Sequence, residues 1–478
     1  MSEAIAEMVI PGTYIEVRAE GLIGVGGIST GNIGIVGTAA RGPLNTVVPL
    51  GSLSEVVDIF GPADRFGTPA EAATPLTLTR ALEQAFAGGA RSVFAVRIAN
   101  GDPVAATANV PASPTTTAFK LTASTPGSWG NDLVVKVVDQ GTDATSRFRL
   151  IVSYGANVRE SFEGANVGAL RAALATSQLV TAGDPDANPA AANANLAATS
   201  DPHIRLTGGT SLPNVTGAQI AGGLGLLENQ PVNIVLVAGV GADRAAAPLL
   251  THVERTENDG HERIAVLGAR ASGTATDVTG VLADTQNVAD KRVVLVAPGI
   301  KVQEAGLNAL TPLPPAYTAA LVAGRLSALA PHISLTNQTL PIAELDVTYT
   351  STALKNLLQN RVLLVRRKLG HQIVKGITTD TGAFKQISVR RTVDYAKTGV
   401  RMGADPYIGK LNNARVRAAL KATLDGFLSQ MVQDEMLTAY ELDVSATRSQ
   451  EINGIAAVAM TLLPTFSIDF IRVTMTLQ

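Results

Sequence analysis

The chain contains three short, continuous runs of apolar residues, and the stretches between them are long enough to form helices. The runs cover residues 232–237, 264–267 and 293–296. A strand with one solvent-exposed face alternates apolar and polar residues, whereas a strand covered by helices on both faces is apolar throughout. The pattern therefore predicts a parallel sheet between two helical layers over residues 206–350, which is an α/β architecture.

The composition is compatible with large buried cores and excludes several kinds of site. Of the 478 residues, 46% are hydrophobic and 16% are charged, and the formal net charge is −2. At roughly 100–200 residues per domain, about three domains are expected. No run of five Lys or Arg residues occurs, so direct nucleic-acid binding has little support. The absence of cysteine excludes disulfides, thiolate metal ligands and cysteine nucleophiles.

The sequence gives no indication of a secretory signal or a membrane span. The first residues include Glu3 and Glu7 and lack a basic stretch followed by a long apolar one. The uncharged stretches 207–227 and 305–324 are interrupted by Gly, Pro, Asn or Thr, which a membrane-spanning helix would rarely contain in such number. We expect a soluble protein that is made in the cytoplasm and does not insert into membranes.

Residues 21–100 show the features of an α/β segment. A capping box at Ser52 and Glu55 predicts a helix start, and Gly88-Gly89 predicts a helix end. The predicted elements are a strand over 32–37, a helix from Ser52, a helix over about 74–86 and a strand over 92–98.

Residues 101–205 read as a separate β-rich unit. The stretch 102–118 is rich in Pro, Thr and Ala, which is typical of a domain boundary. Strands are predicted over 133–138 and 148–154, a short helix near 167–174, and a loop or weak helix over 183–200.

Residues 350–478 are predicted to have a β-rich start, a long helix and a strand-like end. A helix over 411–439 carries a stripe of apolar residues at helical spacing, which we expect to be core: Leu420, Leu424, Phe427, Leu428 and Met431. Arg415, Arg417 and Lys421 lie off that stripe, near the start of the helix. They form either an ordinary solvated face or a contact surface.

The last residues alternate like a strand but change phase midway. Phe466, Ile468 and Phe470 share one face, and Ile471, Val473 and Met475 share the other. A change of one residue in phase requires a bulge or two segments that join different sheets. An internal edge strand with a bulge is one interpretation, and an arm that leaves its own sheet is the other.

The motifs that could indicate an enzyme lack the required context. Ser29 fits G-x-S-x-G, but a strand follows it where a nucleophile elbow needs a helix. Ser211 follows His203 by only eight residues, and His252 and His261 come after it in the wrong order. The sequence Gly239-Val240-Gly241 lacks the third glycine of a dinucleotide loop. We expect no catalytic, cofactor or metal site, and an inactive hydrolase-like or nucleotide-binding soluble α/β protein remains the alternative.

Six segments of the chain are informative in their order: Pro11 to Tyr14, residues 34–43, residues 52–61 with their Phe-Gly end, residues 126–131, residues 314–316 with 322–325, and residues 387–392 as a strand. In this order they resemble segments of contractile phage tail sheath proteins, a family also found in related contractile injection systems. The resemblance covers nearly the whole chain. A tryptophan-rich stretch usual in the family is replaced here by residues 331–343, which contain no tryptophan.

The resemblance implies a multidomain α/β fold whose subtilisin-like core lacks the protease triad. A β-rich domain is inserted into it, and an α+β inner domain is built from both chain ends with extended terminal β arms. The implied divisions are an N-terminal arm (1–20), an N-terminal α/β segment (21–100), a β-rich inserted domain (101–205), the subtilisin-like domain (206–350), the inner domain (351–465) and a C-terminal β arm (466–478).

The resemblance also implies a structural role in a virion tail that is assembled in the bacterial cytoplasm. Six-subunit rings would stack into a helical homo-oligomer around an inner tube protein, with baseplate and tail terminator proteins as further partners. Arg415, Arg417 and Lys421 would then face the tube. The arms would pair with neighbouring subunits through Ile10, Tyr14, Ile15, Val17, Phe466, Ile468, Phe470, Ile471, Val473 and Met475.

Overall fold

The computed structural model describes most of the chain. The described residues are 27–64, 75–113, 115–139, 148–155, 158–197, 203–270, 278–304 and 310–477. All structural statements below refer to these residues.

The helices are Leu53–Phe60 (α1), Leu78–Gly88 (α2), Val167–Ala173 (α3), Gly217–Leu226 (α4), Ala242–Asn258 (α5), Thr279–Thr285 (α6), Pro315–Ser327 (α7), Ser351–Gln359 (α8), Ile387–Ala404 (α9), Ala414–Gln433 (α10) and Arg448–Ile452 (α11). The strands of the large sheet and its small satellite sheet are Ile33–Gly37 (β1), Val47–Leu50 (β2), Val93–Arg97 (β3), Ile234–Val237 (β11), Ile264–Gly268 (β12), Val293–Ala297 (β13), Ile300–Gln303 (β14), Leu310–Leu313 (β15), Thr339–Leu340 (β16), Glu344–Leu345 (β17), Val362–Arg367 (β18) and His371–Ile373 (β19). The remaining strands are Thr107–Ser113 (β4), Thr116–Ala123 (β5), Leu133–Asp139 (β6), Phe148–Tyr154 (β7), Val158–Gly164 (β8), Val180–Gly183 (β9), Ile204–Arg205 (β10), Leu437–Ser445 (β20) and Ala457–Pro464 (β21).

The large sheet has the strand order β16-β19-β18-β13-β12-β11-β1-β3-β2 among the described residues. The strands from β18 to β3 are parallel, whereas β2, β19 and β16 pair in the antiparallel sense. Every residue of β1, β11, β12 and β13 is buried, as the three apolar runs predicted. Because β18 and β19 join this sheet, it continues past residue 350, where the sequence placed a domain boundary.

Helices cover both faces of the large sheet. On one face α2 and α7 bury Leu82 and Leu321 with the side chains of α1, and on the other α4, α5, α6 and α8 bury residues such as Leu249. The axes of α2 and α7 approach closely: a Cβ on Gly324 would lie 2.0 Å from the carbonyl oxygen of Ala85. Only glycine permits such backbone contact. Helix α2 begins at Leu78 rather than near residue 74. Just before it, the amide of Thr38 donates to Oγ1 of Thr77 and the amide of Thr77 donates to Oγ1 of Thr38, which fixes Thr77 outside the helix.

Residues 105–206 form two small sheets around a hydrophobic cluster of their own. Their strand orders are β10-β6-β7-β8 and β4-β5-β9. The predicted boundary at 102–118 is wrong in part, because β4 and β5 occupy most of it. Two arginines fix this unit to the large sheet. Arg97 donates to the carbonyls of Gly42 and Pro126, and Arg41 lies 5.6 Å and 5.4 Å from the rings of Trp129 and Tyr154.

The structure corrects three predictions in the C-terminal part. Residues 351–359 are helix α8, so this part does not begin with strands. Residues 387–392 are the start of helix α9 and not a strand, because their buried positions continue at helical spacing along α9. The long helix α10 ends at Gln433, since Glu435 takes a left-handed φ of 60° and strand β20 follows. The predicted stripe on α10 is core: Leu420, Leu424, Leu428 and Met431 are buried and Phe427 packs beside them.

Helix α9 joins the large sheet to the α10 hairpin unit through buried ion pairs. Arg292, 1% exposed, places its Nη1 2.8 Å and its Nη2 3.0 Å from the two carboxylate oxygens of Asp394. Its Nε lies 2.8 Å from Glu257 at the end of α5. Arg401 and Lys397 on α9 pair with Glu262. Hydrogen bonding from Arg292 is the largest influence that lowers the pKa of Glu257.

No helix in the described ranges is both long enough and apolar enough to cross a membrane. Within the same ranges, no group of three or more His, Asp or Glu side chains is arranged to hold a metal ion.

Candidate assembly surface

The residues after β21, 465–477, form an extended segment that we call the terminal segment. Its apolar side chains are largely exposed: Phe466 63%, Ile468 79%, Phe470 83%, Ile471 82%, Val473 72%, Met475 86% and Leu477 98%. The strand predicted over these residues is not formed, and neither is an internal edge strand with a bulge. A strand requires a hydrogen-bonded neighbour, and the described residues of this chain provide none here.

The first half of the terminal segment has its polar and apolar faces inverted. Ser467 and Asp469 face the body of the molecule, whereas Phe466, Ile468 and Phe470 face outward. An edge strand of a soluble monomer normally directs its apolar residues inward. This segment instead presents a continuous apolar edge to its surroundings.

Asp469 anchors the terminal segment to the body. Its carboxylate accepts from Oγ1 of Thr336 at 3.3 Å and from Nε2 of Gln386 at 3.3 Å, and it lies 3.2 Å from Nζ of Lys375. Gln386 also exchanges hydrogen bonds with the backbone N–H and C=O of Ser467, at 3.2 Å and 3.3 Å. The Lys375 ammonium lies 5.0 Å from the Phe470 ring centroid. These contacts end at Phe470, so the chain leaves the body at the predicted phase change.

Sequence reasoning missed this anchor. Its signal was a single carboxylate within an apolar alternation, at Asp469. Its hydrogen-bond partners Gln386 and Thr336 lie 83 and 133 residues before it in the sequence. No local pattern could therefore reveal them.

The strands β20 and β21 form a two-stranded antiparallel sheet connected through α11. One face packs on α10 through Tyr440, Leu442 and Leu462. On the other face Ala439 pairs with Leu463 and Glu441 with Thr461, and these residues are exposed. Both outer edges are unpaired among the described residues. An unpaired edge offers a row of backbone donors and acceptors to an incoming strand.

A groove of about 360 Å³ lies beside this sheet, between the α9–α10 connection and the turn before β21. It is lined by apolar residues that include Ile408, Leu411, Val416, Ile455 and Val458. Ile408 and Leu411 are each 78% exposed. The groove therefore adds a partly exposed apolar surface beside the β20–β21 sheet.

The three basic residues predicted to face a tube lie near the start of α10 but do not form one free cluster. Arg415 is exposed. Arg417 lines the groove, and its Nη1 lies 2.9 Å from Oε1 of Glu451. Lys421 is exposed and its Nζ lies 3.9 Å from Asp443. A role in binding a tube stays a prediction for these residues.

The predicted N-terminal arm residues, Ile10, Tyr14, Ile15 and Val17, lie outside the described residues.

The positions that resembled enzyme motifs have structural roles. Ser29 lies just before β1, without a following helix. Ser211 Oγ bonds to Oγ of Ser128 at 2.8 Å. His252 is buried 2.7 Å from Arg263, and burial, with the nearby Arg263 and Arg255, lowers its pKa to about 3. Ser211 and His252 are thus engaged in a turn contact and in buried packing, respectively.

The crevice at the carboxyl ends of β1 and β11, where open α/β sheets usually bind ligands, is filled. Thr38 and Thr77 bond to each other across it. A Cβ on Gly239 would lie 2.5 Å from Thr77 and 2.8 Å from the Tyr317 hydroxyl. Gly239 therefore permits close packing of this loop against Thr77 and Tyr317.

Comparison with known proteins gives a consistent result. Residues 379–478 match the family described as the phage tail sheath C-terminal domain. The tail sheath protein of Bacillus phage SP01 is 26% identical over 226 residues, which are 45% of this chain and 39% of that protein. The tail sheath protein of Mycobacterium phage Bxz1 is 24% identical over 253 residues, or 50% and 42%. The chain thus spans about two fifths of the length of these relatives.

The fold is shared with solved sheath structures. The sheath tail protein of Desulfitobacterium hafniense is 17% identical with a TM-score of 0.66, and the match covers 95% of this chain and 100% of that one. The contracted helical sheath of the anti-feeding prophage is 13% identical with a TM-score of 0.55, covering 98% and 99%. The resemblance to tail sheath proteins of phages and contractile injection systems is confirmed, as is the mixed α/β multidomain fold. These relatives are structural proteins and not enzymes, in agreement with the expected absence of catalysis.

Proposed function

We propose that this chain is a structural subunit of a contractile tail sheath. It polymerises as stacked hexameric rings around an inner tube, and its contraction drives the tube through a cell envelope. The observation that carries this proposal is the terminal segment, whose exposed apolar edge lies on the same chain as a two-stranded sheet with two unpaired edges. The terminal segment lacks a strand to pair with, and the two-stranded sheet has edges that can accept a strand.

Strand exchange between copies would bury the apolar side chains of the terminal segment and pair an edge of the β20–β21 sheet. Burying a large aliphatic side chain stabilises by roughly 1.5–3 kcal/mol relative to leaving it exposed, and Ile471, Val473, Met475 and Leu477 are all exposed in the single chain. An added strand also supplies main-chain hydrogen bonds to a sheet edge. A head-to-tail contact of this kind generates an open helix of subunits and not a closed dimer.

In this proposal the phase change at Phe470-Ile471 marks the point where the chain passes from its own subunit to a neighbour. Residues up to Phe470 are anchored to their own subunit through Asp469, and residues from Ile471 onward enter the sheet of a neighbour. The N-terminal arm, with Ile10, Tyr14, Ile15 and Val17, occupies a second edge. Such arms keep subunits connected while the rigid bodies between them shift during contraction.

The remaining assignments extend the proposal. The α/β body is a subtilisin-like core without a triad, supported by its parallel sheet with helices on both faces. The β-rich unit is an insertion at larger radius. Arg415 and its neighbours Arg417 and Lys421 face the inner tube protein, and baseplate and tail terminator proteins contact the sheath ends. The assembled protein belongs to a virion tail or a related injection machine, built in the bacterial cytoplasm.

Electron microscopy of the purified full-length chain tests the proposed function. Negative-stain images at increasing protein concentration should show tubes or stacked rings with a central channel. A chain that stays monomeric or forms closed dimers at all concentrations, and in the presence of an inner tube protein, contradicts the proposal.

A further inference from the structure

Charges are segregated along the C-terminal half of the chain, although the whole chain is nearly neutral. Residues 347–379 contain six Lys and Arg residues and no Asp or Glu, and residues 422–447 contain five Asp and Glu residues and no Lys or Arg. The basic stretch includes β18 and β19, at one lateral edge of the large sheet. The acidic stretch includes β20 of the two-stranded sheet. Two surfaces of opposite charge therefore lie on separate parts of one subunit.

The basic surface is concentrated on the tight turn between β18 and β19. We call Arg366, Arg367, Lys368, Leu369 and His371 the basic hairpin. In the register of the two antiparallel strands Arg367 lies opposite His371. The backbone amide of Lys368 donates to the carbonyl of Gly370 at 2.7 Å. Arg367 and Lys368 are exposed, and no ion pair within the described residues uses either side chain.

Leu369 occupies the tip of the basic hairpin in an unfavourable way. It has a left-handed φ of 50° and is 92% exposed. This conformation favours glycine or asparagine, because the Cβ of other residues is crowded there. A leucine at this position costs conformational energy and exposes apolar surface to water.

One carboxylate near the basic hairpin is already paired. Glu344 lies 2.6 Å from Lys301, and the hydrogen bond from Lys301 is the largest cause of its lowered pKa, with Arg367 and His371 as the weakest contributors. Glu344 therefore satisfies Lys301 and leaves most of the hairpin charge uncompensated.

The acidic surface has the complementary composition. We call the exposed carboxylates of Asp434, Glu435, Glu441 and Asp443 the acidic ribbon. Two of its carboxylates have exposed contacts within the subunit: Gln430 donates to Asp434 at 2.9 Å, and Lys421 lies 3.9 Å from Asp443. On the same exposed sheet face, Leu463 is 53% exposed opposite Ala439. Leu463 is thus an exposed apolar side chain on the sheet face that carries Glu441 and Asp443.

We propose that the basic hairpin of one subunit docks on the acidic ribbon of a second copy of this chain. The inference rests on the proposed function, since it adds a second contact between copies that is separate from the exchanged arms. Because the two surfaces differ, the contact is head-to-tail and propagates along a polymer. Complementary charges select the partner surface and speed association, and a like-charge mismatch there is strongly unfavourable.

Charge reversal with rescue tests the docking. R367E/K368E should raise the critical concentration for polymerisation about tenfold or more, because acidic groups would then face the acidic ribbon. E441K/D443K should have a similar effect. The variant carrying all four changes should restore assembly to near the wild-type value. R91E/R159E, which reverses two exposed cations elsewhere, is the matched control and should leave the critical concentration unchanged.

The variant L369N tests whether Leu369 serves the contact between copies or the folding of the monomer. Asparagine tolerates the left-handed conformation, so the thermal midpoint of the monomer should stay the same or rise while assembly weakens. Failure of wild-type protein to polymerise contradicts the proposed function itself. If wild-type protein polymerises, then unaltered assembly of R367E/K368E, or lost assembly that the four-residue variant does not restore, overturns the docking alone.

Discussion

At the scale of single residues, Arg292 joins two parts of the subunit. Its guanidinium contacts Asp394 on α9 and Glu257 on α5, and all three side chains are buried or nearly so, at 1%, 15% and 18% exposure. Removing Arg292 would leave Glu257 with Lys291 and Lys397 and leave Asp394 with Arg390, so each carboxylate would lose its hydrogen bonds from Arg292 but keep a cation nearby. The loss of buried, charge-assisted hydrogen bonds is still more costly than the loss of a surface pair.

We predict that R292M lowers the free energy of unfolding by about 1.5–3 kcal/mol. Urea or thermal unfolding measures this loss. K301M is the matched control, since it removes an equally short but exposed pair with Glu344 and should change stability little. A melting curve for R292M that coincides with the wild-type curve would show that the buried pairs contribute nothing.

The same variant should change the acid sensitivity of the protein. The folded-state pKa of Glu257 lies below its usual 4.5, mainly through the hydrogen bond from Arg292. A carboxylate with a lowered folded pKa stabilises the native state above its unfolded pKa, and this contribution is lost as pH falls toward the folded value. Wild-type stability should therefore drop below about pH 4.5, and the drop should be smaller in R292M.

At the scale of elements, the terminal segment gives the clearest prediction. Deletion of residues 471–478 should leave the monomer's thermal midpoint within error of wild type, because residues 471–477 are largely exposed and make no buried contact with the body. The deletion should abolish polymers, because the arm that enters the neighbouring sheet is missing. Circular dichroism and negative-stain microscopy measure the two effects.

A substitution pair provides the control for that deletion. V473D/M475D places charges on the apolar face of the alternation, whereas T474D/T476D places the same charges on the other face. The first should prevent assembly and the second should weaken it much less. Long tubes formed by the deleted chain would refute the arm's role.

The elements also show which parts of the fold the sequence could reveal. The strands β11, β12 and β13 were predicted because burial on both faces leaves a continuous apolar run. Helix α9 was mistaken for a strand at Ile387 and Val389, although Val389, Thr392, Ala396, Gly399 and Gly403 are buried at helical spacing. That longer periodicity was the correct signal. The anchor of Asp469 could not be predicted, because its partners come together only through tertiary folding.

The candidate site was predictable only in outline. The alternation at Phe466 to Met475 revealed a strand-forming segment, and the phase change located the point where it leaves the body. The inverted orientation, with Ser467 and Asp469 inward, depends on Gln386 and Lys375. The partial neutralisation of Arg417 depends on Glu451, 34 residues away. Both are properties of tertiary packing, which a single sequence pattern does not encode.

At the scale of the whole molecule, the subunit combines a rigid body with surfaces that are unsatisfied when it is alone. The large sheet, its helices and α9 are held together by ion pairs whose carboxylates are buried or half-buried. Residues 471–477, the outer edges of the β20–β21 sheet and the tip of the basic hairpin are exposed, and the described residues provide no strand that pairs with those sheet edges. This distribution fits a protein whose stable state is a polymer and whose movements occur between subunits.

The central claim is that residues 471–477 of one subunit complete the β20–β21 sheet of another. A helical reconstruction of the polymer by cryo-electron microscopy, at a resolution that shows side chains, tests it most directly. The account predicts that Asp469 keeps its contacts with Lys375 and Gln386 of its own subunit, while Val473 and Met475 lie in a strand hydrogen-bonded to β20 or β21 of a neighbour. A polymer in which residues 471–477 fold back on their own subunit, or stay solvent-exposed, would contradict it.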